Sequence, residues 1–151
     1  MVKETLYLDT SIPSAYYDER TKERMENTRK FWEDVLPTYA VYISEITVKE
    51  LENTKNERLK NKFRTLVANI KVLRTNKTIE DLATAYIEQN IFPEKYIDDA
   101  RHVATASYYG ITFVVSWNFV HLVKVKTRKL VNSVNILNGF KEIQIVSPLE
   151  L

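Results

Sequence analysis

Short β-branched and aromatic runs alternate with longer amphipathic segments along the whole chain. That alternation predicts an α/β fold, a parallel sheet with helices on both faces. Leu6-Tyr7-Leu8 and Ile111–Val115 are apolar at successive positions, as in strands covered on both sides. With 44% hydrophobic and 28% charged residues, the 151 residues have the balance of a soluble domain with one real core, so 1–151 is read as a single domain.

The first strand, Leu6 to Leu8, ends at Asp9, and Thr10 and Ser11 are placed to cap the next helix. Pro13 to Arg20 reads as that helix, and Lys22 to Leu36 as another with Met25, Phe31, Trp32 and Val35 inward; Pro37 closes it. Tyr39 to Ile43 is the second strand. Ser44 caps a helix to about Asn53, on which Glu50 falls beside Ile46, Thr47, Leu51 and Thr54 rather than on the polar stripe. Asn56 to Asn69 is a basic helix, Ile70 to Leu73 a short strand, and Thr78 to Gln89 a helix capped by Thr78. After Pro93 a helix runs from about Glu94 to Tyr109, stopped by Gly110. Ile111 to Val115 is a strand, Val123 to Leu137 a helix ended by Gly139, and Glu142 to Val146 the last strand.

Composition excludes several kinds of chemistry. No cysteine is present, which rules out disulfides, thiolate metal sites and cysteine catalysis and suits a cytoplasmic protein. Two glycines leave no glycine-rich phosphate loop. The N-terminal apolar run is too short for a signal peptide, and no stretch approaches a membrane span.

Asp9 alone reads first as a strand end or a helix cap, although it also stands at the carboxyl edge of a sheet, where ligands collect. Two further acids alter the weighing. Glu50 lies on the apolar side of its helix, where an acid is unusual. In Ile97-Asp98-Asp99-Ala100-Arg101-His102, Asp98 shares a stripe with Arg101 and Thr105, whereas Asp99 shares one with Val103, Ala106 and Gly110. Asp99 is therefore the inward acid. His102, three residues on, either orients it or is a hydrogen-bonded core histidine. Ser116-Trp117-Asn118 comes after a strand and joins the same edge.

Carboxylates gathered this way repel one another unless a cation lies among them, and hard oxygen donors suit Mg²⁺ or Mn²⁺. The net charge is only +2, but Lys124, Lys126, Arg128 and Lys129 form a run without an acid, and residues 55–77 carry eight basic residues against Glu57. Such runs are either solvated helix faces or polyanion contacts. Acids and basic runs together point to a metal-dependent nuclease.

The pieces Leu6-Tyr-Leu-Asp9-Thr-Ser11, Ile43-Ser-Glu-Ile-Thr-Val-Lys-Glu50-Leu51, Asp99-Ala-Arg-His102-Val-Ala104 and Ser116-Trp-Asn118-Phe-Val-His121 occur in this order. So arranged, the chain resembles PIN-domain proteins, in particular the small stand-alone bacterial type that includes VapC-like toxins. The ending Asn138-Gly-Phe-Lys-Glu-Ile-Gln-Ile-Val-Ser-Pro148 is similar too, so the resemblance covers nearly the whole chain. It implies a Rossmann-like three-layer sandwich, Mg²⁺- or Mn²⁺-dependent cleavage of RNA and frequent homodimers, with the aromatic stretch Tyr16 to Trp32 as a candidate dimer face. For a toxin it implies a cognate antitoxin.

Carried across, Asp9, Glu50 and Asp99 match the metal-binding acids and Asn118 the fourth site position. Thr10, Ser116, His102 and His121 are supporting residues, with Ser116 holding a carboxylate or water and His121 meeting phosphate. Lys124, Lys126, Arg128 and Lys129 would bind RNA. Asn118 departs from the acid many members carry there; it supplies an oxygen but no charge, which argues against a robust two-metal mechanism. The departure supports an alternative, a catalytically weakened module that binds RNA or protein. A haloacid-dehalogenase-like phosphatase would need an acid where Ser11 stands, and a response-regulator receiver would be phosphorylated on Asp9.

Overall fold

The structure, a computed structural model, describes residues 2–151. The chain runs β1 (Thr5–Leu8), α1 (Ser11–Tyr16), a 3-10 turn (Glu19–Thr21) and α2 (Lys22–Lys30). A π turn (Phe31–Val35) and a 3-10 turn (Leu36–Thr38) lead to β2 (Ala40–Ser44), α3 (Glu45–Glu52), α4 (Glu57–Val67) and β3 (Lys71–Leu73). Then come α5 (Lys77–Glu88), a 3-10 turn (Glu94–Tyr96), α6 (Ile97–Tyr108), β4 (Phe113–Val115), α7 (Val125–Leu137) and β5 (Gln144–Val146).

All five strands are parallel, in the order β3-β2-β1-β4-β5. The chain winds outward from β1 through β2 to β3, then crosses to β4 and β5 on the other side. The switch therefore lies between β1 and β4, where Tyr7 pairs with Val114 and Leu8 with Val115. In an open parallel sheet this is the place where a crevice opens at the strand ends.

Leu6, Tyr7 and Leu8 are wholly buried. Their alternation serves two cores. Tyr7 joins Val114 and Ile145 beneath α5, α6 and α7. Leu6 and Leu8 join Ile43 and Val115 beneath α1 and the α2 segment, with Val48 of α3 and Val67 of α4 at the margin. Each such buried side chain contributes roughly 1.5–3 kcal/mol relative to exposure. The result is the expected three-layer sandwich.

Three local expectations give way. The single helix expected over Lys22 to Leu36 widens after Lys30, where the Leu36 N–H bonds the Phe31 carbonyl five residues back. That wider turn keeps Phe31 and Leu36, both buried, on the same side. The helix after Asn76 is capped by Asn76, whose side chain accepts from the Ile79 N–H, and not by Thr78. Thr10 makes no cap bond, because its hydroxyl is drawn to Glu50 instead. Gly110 (φ +66°) and Gly139 (φ +81°) end α6 and α7 in the left-handed conformation, as their positions suggested.

Candidate active site

The loops leaving β1 and β4 are sewn together through Asp9. Its backbone N–H still bonds the Val115 carbonyl, so the residue is held as an extension of the strand pair. One carboxylate oxygen accepts from the Ser11 N–H (3.1 Å) and the Ser11 hydroxyl (2.5 Å), and the other accepts from the Ser116 hydroxyl. Those two hydroxyls in turn accept from the backbone N–H groups of Trp117 and Asn118, each at 2.9 Å. Asp9, only 4% exposed, is fixed from both loops. Burial pushes its carboxyl above the usual range, opposed by the charge of His102 and by the Ser11 and Ser116 bonds.

Glu50 arrives from α3. Its Oε1 accepts from the Thr10 hydroxyl (2.8 Å) and meets His102 Nε2 at 2.6 Å. The opposite ring nitrogen, Nδ1, lies 2.5 Å from the Tyr7 hydroxyl, which is 2.7 Å from the Ser44 hydroxyl that caps α3. Burial disfavours the charged imidazole, but the Tyr7 hydroxyl and the Glu50 and Asp9 carboxylates outweigh it and hold His102 above its usual value. His102 makes no hydrogen bond to Asp99. Its bonds to Glu50 and Tyr7 replace the expected orienting contact, because α6 aims the ring across the sheet end at α3.

Asp99 stands in the first turn of α6, half-buried, and takes a 3.3 Å bond from the Asn118 side-chain amide. The Asn118 carbonyl oxygen is already engaged, accepting from the His121 N–H at 2.9 Å. Asn118 thus acts here as a donor toward Asp99 and closes its own loop. Its oxygen, the one expected to face a metal or its water, already accepts one hydrogen bond from the protein and keeps a second lone pair. Burial pushes Asp99 up to about 6, the charge of Asp9 adds the next push, and His102 opposes them; Glu50 and Asp98 raise it further. The neighbouring Asp98 is exposed and paired with Arg101 at 2.9 Å, as its stripe indicated.

Asp99 is therefore near enough to Asp9 and Glu50 to feel the charge of each. Among the described residues no three acids or histidines lie close enough to form a ready cage for a metal. Mg²⁺ does not need one, since it commonly binds through one or two carboxylates and keeps its remaining waters. Hard oxygens, mutual repulsion and incomplete neutralisation fit a hydrated divalent cation better than a closed site. Of these acids, Asp9 is the most fully engaged by hydroxyls.

The other expected residues divide. Ser116 does hold a carboxylate, that of Asp9. His121 lies against Tyr96, ring centroids 4.1 Å apart, and burial together with Lys124 and Lys95 lowers its pKa. Lys124, Lys126 and Lys129 are exposed. Arg128 is not available in the same way: its guanidinium donates to the Ile145 carbonyl at 3.2 Å and lies 4.0 Å from Glu150. The helical turn directs it to the end of β5, away from its neighbours in the run. In the 55–77 run, Lys60, Arg64 and Lys77 pair with Glu57, Glu52 and Asp81, so those three are spent on the surface's own acids. The Tyr16 to Trp32 aromatics pack on one another within the chain.

Ser11 and Tyr7 are parts of the site that sequence reasoning misses. An Asp-x-Ser spacing carries the signal for Ser11, because a side chain readily bonds the backbone two residues on. For Tyr7 the signal is a hydroxyl in the middle of a doubly covered strand, which needs a buried partner.

A model of the PIN domain family matches residues 6–118. Comparison with curated proteins finds no match. Among solved structures, Mycobacterium tuberculosis VapC20, described as a sarcin-ricin loop cleaving toxin, is 16% identical at a TM-score of 0.61, over 92% of this chain and 98% of its own. VapBC-1 from nontypeable Haemophilus influenzae is 18% identical at 0.60, over 96% and 98%. FitAcB from Neisseria gonorrhoeae is 17% identical at 0.58, over 97% and 99%.

Proposed function

The chain belongs to the PIN domain family, and from that premise we propose that it is a metal-dependent endoribonuclease, the toxin of a toxin–antitoxin pair. The observation that carries this reading is Asp9 at the switch point of the sheet with Asp99 near it, Asp99 raised by burial and by the charges of Asp9 and Glu50 and only partly relieved by His102. The similarity in fold to VapC20, VapBC-1 and FitAcB supports the toxin assignment.

In this reading Asp9 and Asp99 are the residues that would hold Mg²⁺ or Mn²⁺, with Glu50 beside them. The cation supplies Lewis acidity at the scissile phosphate and lowers the pKa of water. Asp9 is held rigid by Ser11 and Ser116, so its oxygens need no reorganisation. His102 and Thr10 occupy Glu50 Oε1, and this leaves Glu50 Oε2 to accept a proton from the attacking water. Asn118 positions Asp99 through its amide. Lys124 and its exposed neighbours Lys126 and Lys129 attract the strand. Residues 1–151 act as one domain, in the cytoplasm, as a homodimer bound by a cognate antitoxin.

Cleavage of labelled RNA with Mg²⁺ or Mn²⁺, native against Asp99→Asn, tests the assignment. Metal-dependent cleavage lost in the variant is the expected result, and equal cleavage by both would refute it. One observation favours a second reading, a binding module with weakened catalysis: Asn118 spends both ends of its carboxamide on protein groups. Tight RNA binding without cleavage by the folded native chain would select it.

A further inference from the structure

Beside the acids lies a feature that their chemistry does not use. Past Asn118 the surface opens into a cleft of about 270 Å³ bordered by Ser11, Arg24, Trp117 and Asn118. Arg24 and Trp117 also border a second hollow of about 440 Å³, with Phe119 and Leu149 on its rim. The shared walls make the two hollows neighbours, so a path leads from the residues that touch Asp9 and Asp99 to an aromatic recess.

The recess has a rigid floor and a rim of suitable chemistry. Trp117 is 6% exposed and locked, its backbone N–H on Ser11 and its indole N–H on the Thr28 hydroxyl, both at 2.9 Å. Arg24 lies over the indole, 5.3 Å from its centre. Among the described residues its guanidinium has no carboxylate within ion-pair distance, because the nearby Asp18 is bound by Arg20 through both oxygens. Phe119 is tilted against Trp117 at 6.2 Å and 44% exposed. Phe119 and Leu149 thus keep an exposed apolar rim beside the indole, and the Arg24 guanidinium, though it lies over that indole, has no carboxylate partner among the described residues.

We propose that this recess receives one unpaired base of a single-stranded RNA, stacked on Phe119, while Arg24 takes an adjoining phosphate. Every base offers a face for stacking, so the contact would set where the strand lies without reading its sequence. The strand then leaves the recess along the neighbouring cleft past Asn118, whose side chain holds Asp99. This inference rests on the reading of the chain as an RNA-acting protein and deepens it, since it assigns a base-stacking subsite outside the acids.

The test is binding, measured without metal so that cleavage does not enter. Fluorescence anisotropy compares oligoadenylate with an abasic ribose-phosphate strand of equal length, for the native chain, Phe119→Ala, Phe119→Trp and Arg24→Ala. The native protein should bind the base-bearing strand about tenfold more tightly. Phe119→Ala should abolish that preference, and Phe119→Trp should keep it. Arg24→Ala should weaken both strands alike and lower the salt slope by about one. A preference that survives Phe119→Ala, or no preference in the native chain, overturns the proposal. Cleavage without base preference leaves the nuclease standing and removes this inference; base preference without cleavage does the reverse.

Discussion

Replacing Asp99 with asparagine should abolish catalysis and yet stabilise the metal-free protein. Asp99 sits at about 6 against an ordinary 3.8, so its ionised form is disfavoured in the folded chain. At about 1.4 kcal/mol for each unit, the ceiling is about 3 kcal/mol at pH 7. Part of the carboxyl reaches water, which screens it and leaves roughly 1–2 kcal/mol. Asparagine removes the charge, nearly preserves the volume and can still accept from Asn118. For a domain of this size the gain amounts to a Tm increase of about 2–8 °C.

The sign of the effect depends on pH. Between pH 4 and 6 the folded native chain retains the Asp99 proton that the unfolded chain has lost, so native stability falls as pH rises through that window. The asparagine variant has no such proton to lose. The two melting curves should coincide near pH 4 and separate by pH 7, in EDTA. Added Mg²⁺ should raise the native Tm and close the gap, while leaving the variant little changed. Scanning calorimetry or dye-monitored melting over that range measures it. A variant less stable than native at pH 7, or a gap that does not depend on pH, would refute the account of Asp99 as a mutually repelled acid.

Ser116→Ala removes the hydroxyl between buried Asp9 and the Asn118 N–H, and should cost about 1–3 kcal/mol in urea unfolding at pH 7. Tyr7→Phe strips the link between Ser44 and His102; a similar loss of about 1–3 kcal/mol is expected, with slower RNA cleavage because Glu50 loses its backing. Asn118→Asp adds a charge next to Asp99 and should tighten Mg²⁺ binding by calorimetric titration while lowering the metal-free Tm by a few degrees. Lys124→Ala should weaken RNA binding without altering Tm, whereas Arg128→Ala should lower Tm and leave RNA affinity alone.

Periodicity makes the large features legible. Strands buried on two faces read as apolar runs, and Glu50 and Asp99 are visible because acids on apolar stripes break the pattern. What periodicity cannot carry is contact across the chain. By sequence His102 belongs with Asp99, three residues before it, and only the crossing of α3 and α6 at the sheet end gives it to Glu50. Arg128 reads like Lys124, and its attachment to β5 appears only once the sheet order is known. The cap expected at Thr78 falls to Asn76, two positions earlier, and Thr10 gives its hydroxyl to Glu50 instead of to its helix; neighbouring residues have similar local claims, and the partners available in the folded chain choose between them.

The stitching of Asp9 has a consequence for synthesis. Asp9 leaves the ribosome early, but Ser116, which fixes one of its oxygens, and Asn118, which holds Asp99, are more than a hundred residues later. At translation speeds of about 5–20 residues per second, the nascent chain spends several seconds with its first acid made and its partners absent. Pairings of such sequence separation form late. A ribonuclease of the kind proposed would be born inert beside the messenger that encodes it, and would become dangerous only after most of its own translation was complete. That interval is the time in which an inhibitor made nearby could reach it.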